Sequence, residues 1–124
     1  MTSTASSTRI LVIDDEAVLR SLLRDMLAAC GYQADVAENG PVGVARFREG
    51  GYQAVITDFL MPGMNGFEVV TALRAVDPAI RIILLTGSAP DITAGRAREM
   101  GLTLLHKPIA LVDLKAAVDA ACRS

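Results

Sequence analysis

Asp14, Asp15, Asp58, Thr86 and Lys107 are the residues whose types and placement could do chemistry together. Asp14-Asp15-Glu16 follows the apolar run Ile10-Leu11-Val12-Ile13, and Asp58 follows Val55-Ile56. Thr86 follows Ile82-Ile83-Leu84-Leu85, and Lys107 comes just after Leu102 to Leu105. Each piece alone has a plain reading. An Asp-Asp pair is usually a solvated helix start, a Thr after a strand a turn residue, a Lys before Pro a surface group, and a single Asp a loop cap. One such group at each of four strand ends is far more specific. Three carboxylates meeting at one spot repel, by about 4 kcal/mol for a pair roughly 4 Å apart at an effective dielectric of about 20. A hard divalent cation relieves this, and Mg²⁺ suits a site of one or two carboxylates plus phosphate oxygens. Lys107 adds a positive point charge and Thr86 a hydroxyl donor. A nucleophilic carboxylate, a metal cradle, an ammonium and a hydroxyl are what phosphoryl transfer onto an aspartate needs.

The elements that must position these groups are legible as alternating patterns. The four apolar runs suit strands buried on both faces, as in a parallel sheet, and Gln33 to Ala37 reads as a weaker edge strand. Leu19, Leu22, Leu23, Met26, Leu27 and Cys30 recur at helical spacing, and Gly31 follows as a stop. Gly40-Pro41 opens a second helix that ends near Gly50-Gly51. Asn65 can cap a third, with Glu68 three residues on and Pro78 beyond its end. A fourth runs from about Pro90 to Met100 and is weak, with few large apolar residues and Gly95 inside it. A fifth carries Leu111, Leu114, Val118 and Ala121 on one face. Strict β-α alternation predicts an α/β fold, a doubly wound five-stranded parallel sheet with the flavodoxin-like strand order 2-1-3-4-5. Five strands are too few for an eight-stranded barrel.

Bulk properties narrow the setting. With 124 residues, 52% of them hydrophobic, the chain can bury one real core. A net charge of -2 with no clustered basic face gives no reason to expect nucleic acid. The apolar runs are too short for a membrane span. Met1 to Thr8 is Ser/Thr-rich and is read as a disordered tail rather than a signal peptide, with residues 9–124 as the domain, so a cytoplasmic setting is expected. Cys30 reads as a buried thiol and Cys122 as partly exposed, and no disulfide is expected.

The segments Ile10 to Glu16, Thr57-Asp58-Phe59-Leu60-Met61-Pro62-Gly63-Met64-Asn65-Gly66, Leu84-Leu85-Thr86-Gly87 and His106-Lys107-Pro108 resemble the response-regulator receiver family of two-component and phosphorelay signalling. The resemblance runs from about residue 9 to 120. It implies that Asp58 is the phosphoacceptor and that Asp15 binds the metal directly, with Asp14 binding mostly through water. The backbone carbonyl of Leu60 becomes a further ligand, with Mg²⁺ as the ion and Mn²⁺ as a substitute. Lys107 and Thr86 would hold phosphoryl oxygens. Gly87, where the family often has Ala, would leave access to Asp58. Pro108 would follow a cis bond that orients Lys107. The family often has Tyr or Phe where this chain has Leu104, so the aromatic part of the family's switch is absent. His106, the sole histidine, stands at a strand end before Pro and is not read as a phosphodonor. Met61 and Met64 are read as loop packing.

The implied role is a phosphorylation-driven switch, not an enzyme. It would be charged by a sensor histidine kinase or a histidine phosphotransfer protein and would signal through protein contacts, with the face made by strand 4, helix 4 and strand 5 as the partner surface. The alternative is a receiver belonging to a hybrid histidine kinase, or a relay or phosphate sink. An aspartate-nucleophile phosphatase would want Asp-x-Asp after strand 1, where this chain has an adjacent pair. A nucleotide- or flavin-binding domain would meet repulsion from Asp14-Asp15-Glu16. A pseudo-receiver acting only by binding sits poorly with the intact acidic set.

Overall fold

The computed structural model describes residues 8–87 and 91–123. The expected N-terminal tail, apart from Thr8, lies outside the described residues, as do Ser88, Ala89 and Pro90 of the proposed partner face. The elements alternate strictly: β1 (Arg9–Ile13), α1 (Ala17–Ala29), β2 (Gln33–Ala37), α2 (Gly40–Arg48), β3 (Ala54–Asp58), α3 (Gly66–Val76), β4 (Arg81–Thr86), α4 (Asp91–Glu99), β5 (Thr103–His106) and α5 (Leu111–Arg123). The sheet is parallel throughout with order β2-β1-β3-β4-β5. This is the expected doubly wound fold, with β2 at one edge.

Both faces of the sheet are covered, which is why its central strands β1, β3 and β4 are nearly continuously apolar. Alternation sends Leu11, Ile13, Val55 and Ile82 toward Val44 and Phe47 of α2 and Val69, Val70 and Leu73 of α3. It sends Ile10, Val12, Ile56, Ile83 and Leu85 toward Leu23 and Leu27 of α1 and Leu114 and Val118 of α5. Each such side chain contributes about 1.5–3 kcal/mol on burial. The apolar stripe of α1 is narrower than its pattern suggested. Leu22 is 50% exposed and Cys30 is half-buried, because the helix turns this side of the stripe away from the sheet. Leu111 likewise stays exposed at the start of α5. Both cysteines are free.

The helix ends follow from local chemistry. Gly31 takes φ +90° after α1, a conformation that suits glycine. The Asn39 side chain accepts from Val42 N–H at 2.8 Å and starts α2, a cap that the Gly-Pro signal had masked. Asn65 and Glu68 form a reciprocal capping box at the start of α3. The site-bearing end of β1 is set by a close approach: a Cβ at Gly43 of α2 would lie 2.4 and 2.6 Å from Cδ1 and Cγ1 of fully buried Ile13. Gly43→Ala should therefore destabilise the fold by about 1–3 kcal/mol, read from the urea midpoint at unchanged slope.

Candidate functional site

The carboxyl ends of β1, β3, β4 and β5 converge on one cleft. Parallel register pairs Ile13 with Thr57 and Asp58 with Leu85, so Asp14 and Asp58 stand level on neighbouring strands. Thr86 pairs with His106, the last residue of β5, which places Thr86 and then Lys107 one and two steps further out. Asp58 and Thr86 are the final residues of their strands rather than loop residues following them. Asp15, Glu16, Asp58, Leu60, Thr86, Gly87 and Lys107 line the cleft, which encloses about 360 Å³. A Cβ on Gly87 would meet open space there.

Asp14 is completely buried and closely held. Its N–H donates to the Ala37 carbonyl at 3.1 Å, its carbonyl accepts from Arg20 Nη1 at 2.8 Å, and its Oδ1 accepts from Glu16 N–H at 2.8 Å. Its other oxygen, Oδ2, is buried and accepts no hydrogen bond. One oxygen from each of Asp14, Asp15 and Asp58 lies within 4.8 Å of the others. The positive charge facing them is Lys107, whose Nζ is 3.1 Å from Asp58 Oδ1 and 3.7 Å from both Asp14 Oδ2 and Glu16 Oε1. The Lys107 N–H donates to the Thr86 carbonyl at 2.8 Å, and the Lys107-Pro108 bond is cis.

Electrostatics follow from this crowding. Burial pushes the Asp14 carboxyl up, and Asp58 and Asp15 add to the rise against the opposing Glu16 amide and Lys107. Burial also pushes Asp58 up, and contact with Lys107 offsets only part of that. For Lys107 burial works downward, but the pull of Asp58, Asp14 and Glu16 outweighs it and the ammonium is held more firmly than usual. An orphaned buried carboxylate oxygen beside two further hard oxygen donors is a donor set that fits a divalent cation such as Mg²⁺.

All the residues singled out in the sequence belong to this one region: Asp14, Asp15 and Asp58 in the acidic triad, and Leu60, Thr86 and Lys107 in the cleft wall. Glu16 was read as part of the acidic run but given no role of its own, and Arg20 was missed as a participant. Arg20 had no sequence signal, since a charged residue in the first turns of a helix ordinarily faces solvent. Also missed was an apolar groove of about 330 Å³ beside the cleft, lined by Val18, Leu19, Leu22 and Met26 of α1 and by Pro108 and Ile109.

The family model described as the response regulator receiver domain matches residues 10–119. The transcriptional regulatory protein YkoG of Bacillus subtilis is 35% identical over 117 residues, covering 92% of this chain and 50% of that protein. The transcriptional regulatory protein ResD of the same organism is 38% identical over 96 residues, covering 77% of this chain and 40% of that protein. The chain thus spans half or less of the length of these relatives. A crystal structure of a response regulator receiver domain protein from Clostridium thermocellum superposes with a TM-score of 0.89 at 29% identity, covering 94% of each chain. The chain belongs to the response regulator receiver family. It is a phosphoacceptor module of two-component signalling rather than a catalytic enzyme, and its acidic triad is typical of the Mg²⁺ site of receivers. Among the described residues no helix is long and apolar enough to cross a membrane.

Raised carboxyl groups oppose folding when ionised. With respect to Asp14, stability is fully present below the ordinary carboxyl value of 3.8 and is lost as pH rises through the raised folded value. Asn keeps the oxygen that the Glu16 amide needs. Metal-free Asp14→Asn should therefore unfold at higher urea than the parent near neutral pH, by about 1 kcal/mol, with the gap closing in acid. Millimolar Mg²⁺ should stabilise the parent more than the variant. A gap independent of pH would contradict this account.

Proposed function

We propose that Asp58 is the phosphoacceptor and that Asp14, Asp15, Asp58 and the Leu60 carbonyl hold Mg²⁺, or Mn²⁺ in its place, while Lys107 and Thr86 bind the phosphoryl oxygens. The observation that carries this reading is the buried Asp14 Oδ2, which accepts no hydrogen bond and lies beside Asp15 and Asp58 with the Lys107 ammonium 3.7 Å away, at an open cleft. The metal, when bound, neutralises the carboxylates and the charge on the equatorial phosphoryl oxygens. The chain's own residues do the remainder. Lys107 keeps Asp58 oriented, and the proton on its own Nζ is retained because three carboxylates face it. An Asp58 oxygen attacks phosphorus, an O–P bond forms, and the P–N bond of a phosphohistidine breaks with its electron pair going to the imidazole nitrogen. In the charged state Lys107 exchanges its contact with Asp58 for a phosphoryl oxygen, and the buried Thr86 hydroxyl donates to another.

The donor is a phosphohistidine on a sensor kinase or a phosphotransfer protein. Glu16 and Lys107 line both the cleft and the adjoining apolar groove, so a donor seated on Val18 and Leu22 would present its histidine at the cleft mouth. Residues 9–124 act as one receiver unit in the cytoplasm, either as a separate regulator or as the receiver of a hybrid kinase or relay. The output surface is the face of β4, α4 and β5, which Leu104 serves without an aromatic lever.

Acetyl phosphate with Mg²⁺ should add one phosphoryl group, seen by intact mass, and Asp58→Asn should abolish it because an amide is not a competent nucleophile. Labelling that persists in that variant would remove Asp58 from the role. Asp15→Ala should weaken Mg²⁺ binding more than Asp14→Ala in a calorimetric titration, whereas Lys107→Ala should leave metal binding in place and slow phosphorylation. Beryllofluoride with Mg²⁺ should change amide exchange chiefly across β4, α4 and β5. Changes confined to α1 or α2 would assign the output face elsewhere.

A further inference from the structure

Phe59 follows Asp58 directly and precedes Leu60, so it stands between two groups assigned above to the metal. Its backbone is tied on both sides: its N–H donates to the Leu85 carbonyl at 2.8 Å and its carbonyl accepts from the Gly66 N–H at 2.7 Å. Its side chain leans on the first turn of α3, where a Cβ at Gly66 would lie 3.0 Å from Phe59 Cα and 3.2 Å from its Cδ1. From there an unbroken contact leads outward. The Phe59 ring meets the Phe67 ring edge-on, with centroids 5.1 Å apart and planes at 69°. The Arg96 guanidinium of α4 lies over the Phe67 ring, 5.2 Å from its centroid.

Among its described residues α4 has few other holds. Among its described side chains Ala97 is the buried one, and Gly95 contributes no side chain to packing. The Arg74 side chain grips the Met100 carbonyl just past its end. A helix this lightly anchored responds to the loss or gain of one contact.

We infer that Phe59, Phe67 and Arg96 form a positioning relay that couples metal loading of the acidic cleft to the hold on α4. The inference rests on the metal reading given above. Holding the Asp58 carboxylate and the Leu60 carbonyl on one cation pins the chain on either side of Phe59, which steadies the Phe59 ring against Phe67 and so the face that Arg96 covers. None of the three side chains touches the reacting atoms. Coupling between sites is reciprocal, so whatever the cation does to α4, the stack must do to cation affinity.

Amide exchange with and without Mg²⁺ alone, on the full chain, tests this alongside a calorimetric Mg²⁺ titration. In the parent, Mg²⁺ should slow exchange in the last turn of α4 by about two- to five-fold, the scale of one exposed cation–π contact. Phe67→Leu and Arg96→Gln should abolish that slowing while still binding Mg²⁺, with affinity reduced by the same factor. Arg96→Lys, which keeps a cation over the ring, should restore most of it. If both variants bind Mg²⁺ with parental affinity and α4 slows as before, the relay is overturned and the metal site stands. If the parent binds no Mg²⁺, the metal reading falls and the relay with it.

Discussion

A buried carboxylate that is held fast and whose second oxygen accepts no hydrogen bond is the constraint on which the site end of this molecule depends. Asp14 is gripped at its N–H, its carbonyl and its Oδ1, and its Oδ2 faces two other carboxylates with one ammonium 3.7 Å away. One positive charge against three negative ones does not balance. Both buried carboxyls remain raised although Lys107 touches one and approaches the other. Incompletely compensated buried charge is among the costlier features a fold can hold, and such groups concentrate where binding or chemistry supplies what is missing.

The opposite end of the sheet is built the other way. There Arg9 bonds Asp35 at 2.6 Å and lies over the Tyr52 ring, and the Tyr52 hydroxyl donates to the same carboxylate at 2.6 Å. Asp35 is held low by the Tyr52 hydroxyl and by Arg9. At the end of α5, Asp119 accepts from Tyr32 and from Lys115. The groups of these two clusters are partnered, whereas Asp14 Oδ2 in the cleft accepts no hydrogen bond, so the cost of the cleft is borne by a well-knit remainder.

Much of this was legible in the chain itself. Continuous apolar strands at regular spacing can be covered on both faces in few ways, and chemistry collects at the carboxyl ends of such sheets. That logic located Asp14, Asp15, Asp58, Thr86 and Lys107 without coordinates. What stayed hidden depends on rotation and approach. Helical periodicity marks an apolar stripe but not its angle to the sheet, so Leu22 came out exposed beside the cleft instead of buried. Arg20 reaches a backbone carbonyl, a contact that no residue spacing encodes. The Phe59–Phe67–Arg96 contact joins the start of α3 and the loop before it to α4, on the far side of β4 in order. In sequence, Phe59 and Phe67 look like ordinary loop and helix packing.

Strand register has a consequence for which changes this chain can survive over generations. Asp14 and Asp58 stand level because Ile13 pairs with Thr57, and successive residues of a strand point to opposite faces. Adding or deleting one residue within β1 or β3 would turn a carboxylate to the other side of the sheet and bring an apolar neighbour into the cleft. Loops at the far end face no such arithmetic. The turns around Gly31, Gly50-Gly51 and Gly101 can lengthen or shorten without moving a strand relative to its neighbour. Related chains should therefore differ in length mainly at that end, and the spacing from each strand to its functional residue should behave as a unit inherited whole.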